Sequence, residues 1–77
     1  MNYFVLIYDQ SSGALEELEQ FPEEAAEAAL ARRFELESEN RLRPQIEIVL
    51  LSADSEAALR RTHSRYFETV KELASNA

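Results

Sequence analysis

His63 is the only histidine among 77 residues, and there is no cysteine. Those two facts narrow the available chemistry. Without cysteine there is no thiolate to act as nucleophile or soft metal ligand. A histidine acting as general base needs an orienting carboxylate and a nucleophile or water within reach. Glu68 lies five positions on and Glu56 seven back, and neither spacing brings a carboxylate onto the imidazole of a helical histidine. No second histidine completes a His-Glu-x-x-His zinc pattern. At about 100° per residue, His63 falls beside Leu59, Tyr66, Phe67 and Val70, at the margin of an apolar stripe. It is expected to pack, half-buried, against a sheet or a partner. The chain is therefore read as a non-enzyme, with no catalytic residues, no metal and no cofactor.

The arginines are the other side chains that could recognise a ligand. Arg41, Arg43, Arg60, Arg61 and Arg65 make a candidate anion-binding set, suited to a phosphate, a nucleic-acid backbone or an acidic peptide. Helical spacing puts Arg61 and Arg65 on one face with Glu68 and Glu72, where short-range pairs quench them. A net charge of −7 and a pI near 4.6 also argue against nucleic acid. Arg33 is a separate case. It falls in the middle of a helical arc formed by Ala25, Ala26, Ala29, Leu30, Phe34 and Leu36. Its stem is expected to cover apolar surface while the guanidinium stays wet; the alternatives are a buried carboxylate partner or a contact across an interface.

The acids are segregated. Residues 1–31 contain Asp9, Glu16, Glu17, Glu19, Glu23, Glu24 and Glu27 and no Lys or Arg. Residues 32–77 hold all eight basic residues against eight acids, so the net charge resides in the first 31 positions. The cluster lacks the Asp-x-Asp-x-Asp-Gly pattern of a calcium loop, and a single Gly cannot build a phosphate-cradling loop. A solvated face is the expected role.

These side chains must be positioned by one small domain. A chain this short hides roughly 60–65% of its unfolded surface on folding. With no disulfide, association is a natural source of further stability. The hydrophobic fraction of 45% is that of a globular protein. No apolar run approaches the roughly 20 residues of a membrane span, and the N-terminus lacks the basic region of a signal peptide. A soluble, cytoplasmic protein without membrane contact is expected. The excess of Arg over Lys, with abundant Ala and Glu, suits a GC-rich bacterial genome.

Residues 2–8 are nearly all apolar, aromatic or β-branched and read as a buried strand. Asp9-Gln10-Ser11-Ser12-Gly13 is a turn, with Gly13 supplying positive φ. Residues 14–20 return as a second strand. Leu15, Leu18 and Phe21 recur every three residues, so either a β-bulge resets the register or the strand is a loose edge. Its glutamates suit an edge that must not pair with strangers. Pro22, Glu23 and Glu24 open a helix that runs to about Asn40, with Pro44 beyond it. Residues 45–51 form the third strand. Asp54 is expected to cap a second helix reaching about Leu73, and residues 75–77 to fray.

The expected fold is α+β, in the order ββαβα. The three-stranded antiparallel sheet has order 2-1-3, both helices lie on one face, and residues 1–74 form one domain. Neither face of the first or third strand is polar. Helices on one face would leave the other as an apolar patch, and such patches usually mark interfaces. Tyr3, Val5, Ile7, Val49 and Leu51 are the candidate interface residues; if the parity of the first strand is reversed, Phe4, Leu6 and Tyr8 replace its three. The expected function is a non-catalytic interaction or regulatory module that homodimerises through this face, with another protein as a further possible partner. The alternative is an anionic-ligand or nucleic-acid binder using the five arginines.

Overall fold

The computed structural model describes residues 1–68. Three strands, β1 (Asn2–Asp9), β2 (Ala14–Phe21) and β3 (Ile46–Ala53), alternate with two helices, α1 (Ala26–Glu39) and α2 (Glu56–Thr62). The fold is α+β and the sheet order is β2-β1-β3, antiparallel throughout. The central place of β1 follows from its composition. Phe4, Val5, Leu6, Ile7 and Tyr8 are all buried, a continuous run that only a strand covered on both faces can hide.

The β1–β2 turn is built from Asp9. Its Oδ1 accepts from the Ser11 N–H at 2.8 Å, the Ser11 hydroxyl at 2.6 Å and the Ser12 N–H at 3.2 Å. Gly13 closes the turn at φ 70°, donating its N–H to the Asp9 carbonyl. In β2 the register shifts between the partners of Ile7 and Tyr8: Ile7 faces Glu17 and Tyr8 faces Leu15. Glu16 is the extra residue of a bulge. The three-residue spacing is thereby resolved, with Leu15 and Leu18 on one face and Phe21 on the other.

A short 3-10 turn, Glu23–Ala25, leads into α1. Asn40 ends α1, its side-chain amide and backbone N–H both donating to the Leu36 carbonyl. Ser55, one position later than expected, caps α2 by accepting from the Ala58 N–H at 3.1 Å.

The helices lie on opposite faces of the sheet, which corrects the single-faced arrangement expected from the sequence. Ala29 and Leu36 of α1 pack with Val5 and Ile7, flanked by Tyr3, Phe21, Ile46, Ile48 and Leu50. Leu59 and Tyr66 pack with Phe4, Leu6, Tyr8 and Ala53, flanked by Leu15, Leu18, Val49 and Leu51. The physical reason lies in β1, whose two faces are equally apolar and each need a cover.

α2 also differs from expectation. It stops at Thr62, whose hydroxyl back-bonds to the Ala58 carbonyl at 3.1 Å and competes with helix continuation. A 3-10 turn, Ser64–Tyr66, follows and carries Tyr66 into the core. The expected helix end at Leu73, the end of the domain at 74 and the frayed tail lie beyond residue 68, outside the described residues.

Candidate functional site

The five arginines do not form one cluster. Arg41 and Arg43 lie in the α1–β3 connection; Arg60 and Arg61 lie on α2, and Arg65 just after it. Most are engaged. Arg43 holds Glu16 in a two-pronged pair, Nη2 to Oε2 at 2.9 Å and Nη1 to Oε1 at 3.3 Å. Arg60 pairs with Glu56 one turn back and lies 4.5 Å from the Phe67 ring centroid. Among the described residues, Arg41 and Arg61 have no ion-pair partner. Arg33 is half-buried, its Nε 2.8 Å from Glu37 Oε1. With Glu37, Asn40, Arg41, Arg43 and Pro44 it borders an open groove of 290 Å³ along Ile46 and Ile48.

Arg65 belongs to a polar knot at one end of the α2 face. Its Nη2 lies 3.2 Å from Glu47 Oε2 and also donates to the Tyr66 hydroxyl. Tyr66 donates to the same carboxylate oxygen at 3.1 Å, and Gln10 Nε2 reaches Oε1 at 3.0 Å. The Tyr66 ring meets Tyr8 edge-on, centroids 5.1 Å apart, and the Arg65 guanidinium lies 4.1 Å from the Tyr66 centroid.

These contacts set the charge states. The Gln10 hydrogen bond, then those from Tyr66 and Arg65, outweigh burial and hold the Glu47 carboxyl below its ordinary range. Burial, then the adjacent carboxylate, push the Tyr66 phenol up. A carboxyl depressed by folding contributes stability above its unfolded pKa of about 4.3, and loses it as pH falls through the lower folded value. Glu47→Gln is accordingly expected to cost about 1 kcal/mol at pH 7. Its difference from the parent in urea midpoint should shrink as the solution is acidified below about pH 5. A pH-independent difference would show that the carboxylate's charge contributes nothing.

Gln10, Arg65 and Tyr66 all contact Glu47, and the arrangement ties β3 to the β1–β2 turn and to Tyr66. His63 caps α2 by donating its backbone N–H to the Leu59 carbonyl at 2.8 Å. Among the described residues its imidazole makes no hydrogen bond or ion pair.

The expected interface residues divide between the faces. The β1–β3 register pairs Val5 with Leu50 and Leu6 with Val49. Tyr3, Val5 and Ile7 therefore lie on the α1 face, where Val5 and Ile7 are buried. Val49 and Leu51 lie on the α2 face with Phe4, Leu6 and Tyr8. The reversed parity is the correct one, and that face carries α2.

What stays uncovered is an edge. β3 pairs with β1 on one side, and among the described residues no strand pairs with its other side. The Gln10 N–H donates to the Gln45 carbonyl at 2.9 Å, which makes 10 and 45 a hydrogen-bonded pair. The antiparallel alternation then directs Val49 and Leu51 toward β1, and the backbone N–H and C=O of Ile48, Leu50 and Ser52 outward. The opposite edge is guarded: β2 carries Glu16, Glu17 and Glu19 and a bulge. β3 is eight residues long and has no bulge in its pairing, no Pro and no Lys.

α1 exposes two large apolar side chains, Leu30 at 41% and Phe34 at 60%. They lie in one helical row with Glu37 and Arg41, spaced by three and four residues. Glu37 and Arg41 line the groove along Ile46 and Ile48, whereas Phe34 lies about 140–160° around the helix from buried Ala29 and Leu36, on the side away from the sheet. On the other flank Arg32 reaches Glu19 of β2 at 2.7 Å. Nothing in the Leu30–Phe34 spacing alone distinguishes this row from core. The signal was the breadth of the apolar arc, wider than a helix can bury on three strands.

No helix among the described residues is long and apolar enough to cross a membrane. No protein-family model, no curated protein and no solved structure matches this chain.

Proposed function

We propose that this protein is a non-catalytic interaction module whose binding element is the edge of β3 left unpaired among the described residues. The observation that carries this reading is the outward row of backbone groups at Ile48, Leu50 and Ser52, which no strand among the described residues pairs. An extended segment added there gains main-chain hydrogen bonds, and the neighbouring apolar side chains supply selectivity. A non-catalytic role is supported by the engagement of Glu47 with Gln10, Arg65 and Tyr66, and by the absence, among the described residues, of a carboxylate orienting the His63 imidazole. The arginines serve mainly as local clamps on this reading.

Amide hydrogen exchange on dilute protein tests it. The Val49 and Leu51 amides, bonded to β1, are expected to exchange slowly, and those of Ile48, Leu50 and Ser52 at least tenfold faster. Uniformly slow exchange along β3 in the dilute monomer would mean the edge is already occupied within the chain, and the reading would fall.

A further inference from the structure

We infer that the groove between the end of α1 and the start of β3 is a binding site for a single carboxylate group carrying an apolar body. The site is separate from the strand-accepting reading above, since it is lined by side chains and needs no unpaired backbone. Ile46 and Ile48 give it an apolar wall, half-buried against the α1-face cluster. Arg33, Arg41 and Arg43 bring three guanidinium groups to the same 290 Å³. An apolar wall with a few convergent polar groups is how small-ligand sites are built, and this volume stands at the small end of their range. The cations are presented by an ordered connection. The Arg43 N–H donates to the Asn40 carbonyl at 2.9 Å, and the Ile46 N–H to the Arg43 carbonyl at 3.0 Å.

The balance of charge selects the ligand. Arg33 gives its Nε to Glu37 at 2.8 Å and Arg43 holds Glu16 at 2.9 Å, so two of the three cations are already neutralised. The Asn40 amide is spent on the Leu36 carbonyl and on Arg43. Arg41 is exposed and has no ion-pair partner among the described residues. One positive charge remains in the groove, and it stands just past the C-terminus of α1, where the helix dipole amounts to about half a negative charge. A dianion such as phosphate would meet that field and two carboxylates with one uncommitted cation, whereas a carboxylate needs only one. The guanidinium fork of Arg41 fits a carboxylate with two parallel bonds. Arg33 uses only its Nε on Glu37, so its terminal nitrogens can donate as well. An exposed ion pair by itself contributes little, so the apolar body lying along Ile46 and Ile48 is a required part of the ligand.

Amide NMR of the full chain, titrated at low salt with hexanoate, tests this. Saturable shifts are expected at the Arg41, Arg43, Ile46 and Ile48 amides and none along α2, with a dissociation constant in the millimolar range. Inorganic phosphate should produce no saturable shift at those amides over the same range. Arg41→Gln changes an exposed side chain, so the fold is spared, and it should weaken hexanoate about fivefold. Arg61→Gln removes a second guanidinium without an ion-pair partner among the described residues, on α2, and should change nothing. A short apolar peptide with a free C-terminal carboxylate, and the same peptide amidated, identify the source of the group. Tighter binding of the free-acid peptide than of hexanoate assigns the site to a chain terminus; equal or weaker binding assigns it to a small free carboxylate. Hexanoate shifts that do not saturate at the groove amides overturn the proposal. So does equal binding of phosphate or of the amidated peptide, and so do equal effects of Arg41→Gln and Arg61→Gln. Exchange rates at Ile48, Leu50 and Ser52 in the unliganded protein bear only on the strand edge, so either reading can fail without the other.

Discussion

Phe4→Ala is expected to remove a large share of the protein's stability, about 3–5 kcal/mol. Phe4 has no solvent exposure and is the largest fully buried side chain, sitting on the central strand against Leu59, Tyr66 and Leu51. Truncating a buried Phe costs about 3–5 kcal/mol in lost transfer energy and in the cavity left behind. The whole stability of a chain this size is about 4–12 kcal/mol. A cavity at this site cannot collapse easily, because Phe4 is held by ladders on both sides, to Gln20 and to Leu51. The check is a urea titration followed by circular dichroism. A loss under about 1 kcal/mol would mean α2 and the turn after it repack into the void, and that the α2 face is softer than its burial implies.

Much of this architecture was legible because its causes are local. The apolar run of β1 placed it in the centre. The Asp9–Gly13 segment made the hairpin, and the three-residue spacing of Leu15, Leu18 and Phe21 required either a bulge or a loose edge; the bulge is at Glu16. Strand order followed from burial alone. What was not legible depended on which face each helix chooses. The lack of polarity on both faces of β1 and β3 suits an open patch on one of them. It is equally the signature of a sheet covered twice, and no local feature of α1 or α2 distinguishes the two outcomes. The same ambiguity scattered the site residues. Tyr3, Val5 and Ile7 were grouped with Val49 and Leu51, although the 10–45 pairing sets an odd sum and puts Val5 beside Leu50. The arginines do not form one cluster because Arg41 and Arg43 lie in the α1–β3 connection while Arg60 and Arg61 are on α2. Arg33 behaves as its long stem suggested, half-buried with its head group on Glu37.

The two covers are unequal, and the second large effect follows from that. α1 has 14 residues, whereas α2 has only seven and Leu59 is its one buried residue. A helix of two turns has no stability of its own and depends on tertiary contact. Leu59→Ala removes that contact and is expected to cost about 2–5 kcal/mol. The form of the loss should differ from that of Phe4→Ala. The β1–β2–β3 ladders and the α1 face do not involve Leu59, so α2 can detach while the sheet persists. Detachment uncovers Phe4, Leu6, Val49 and Leu51 together, a contiguous apolar face of the size that drives association. The variant should therefore bind a hydrophobic dye and gain mass with concentration. Strand amides in β1 should stay protected while those of α2 exchange freely. Simultaneous loss of all protection would instead make α2 an integral part of one cooperative unit. The short helix would then be a necessary half of the core, and an open apolar sheet face would not be a state this chain can hold.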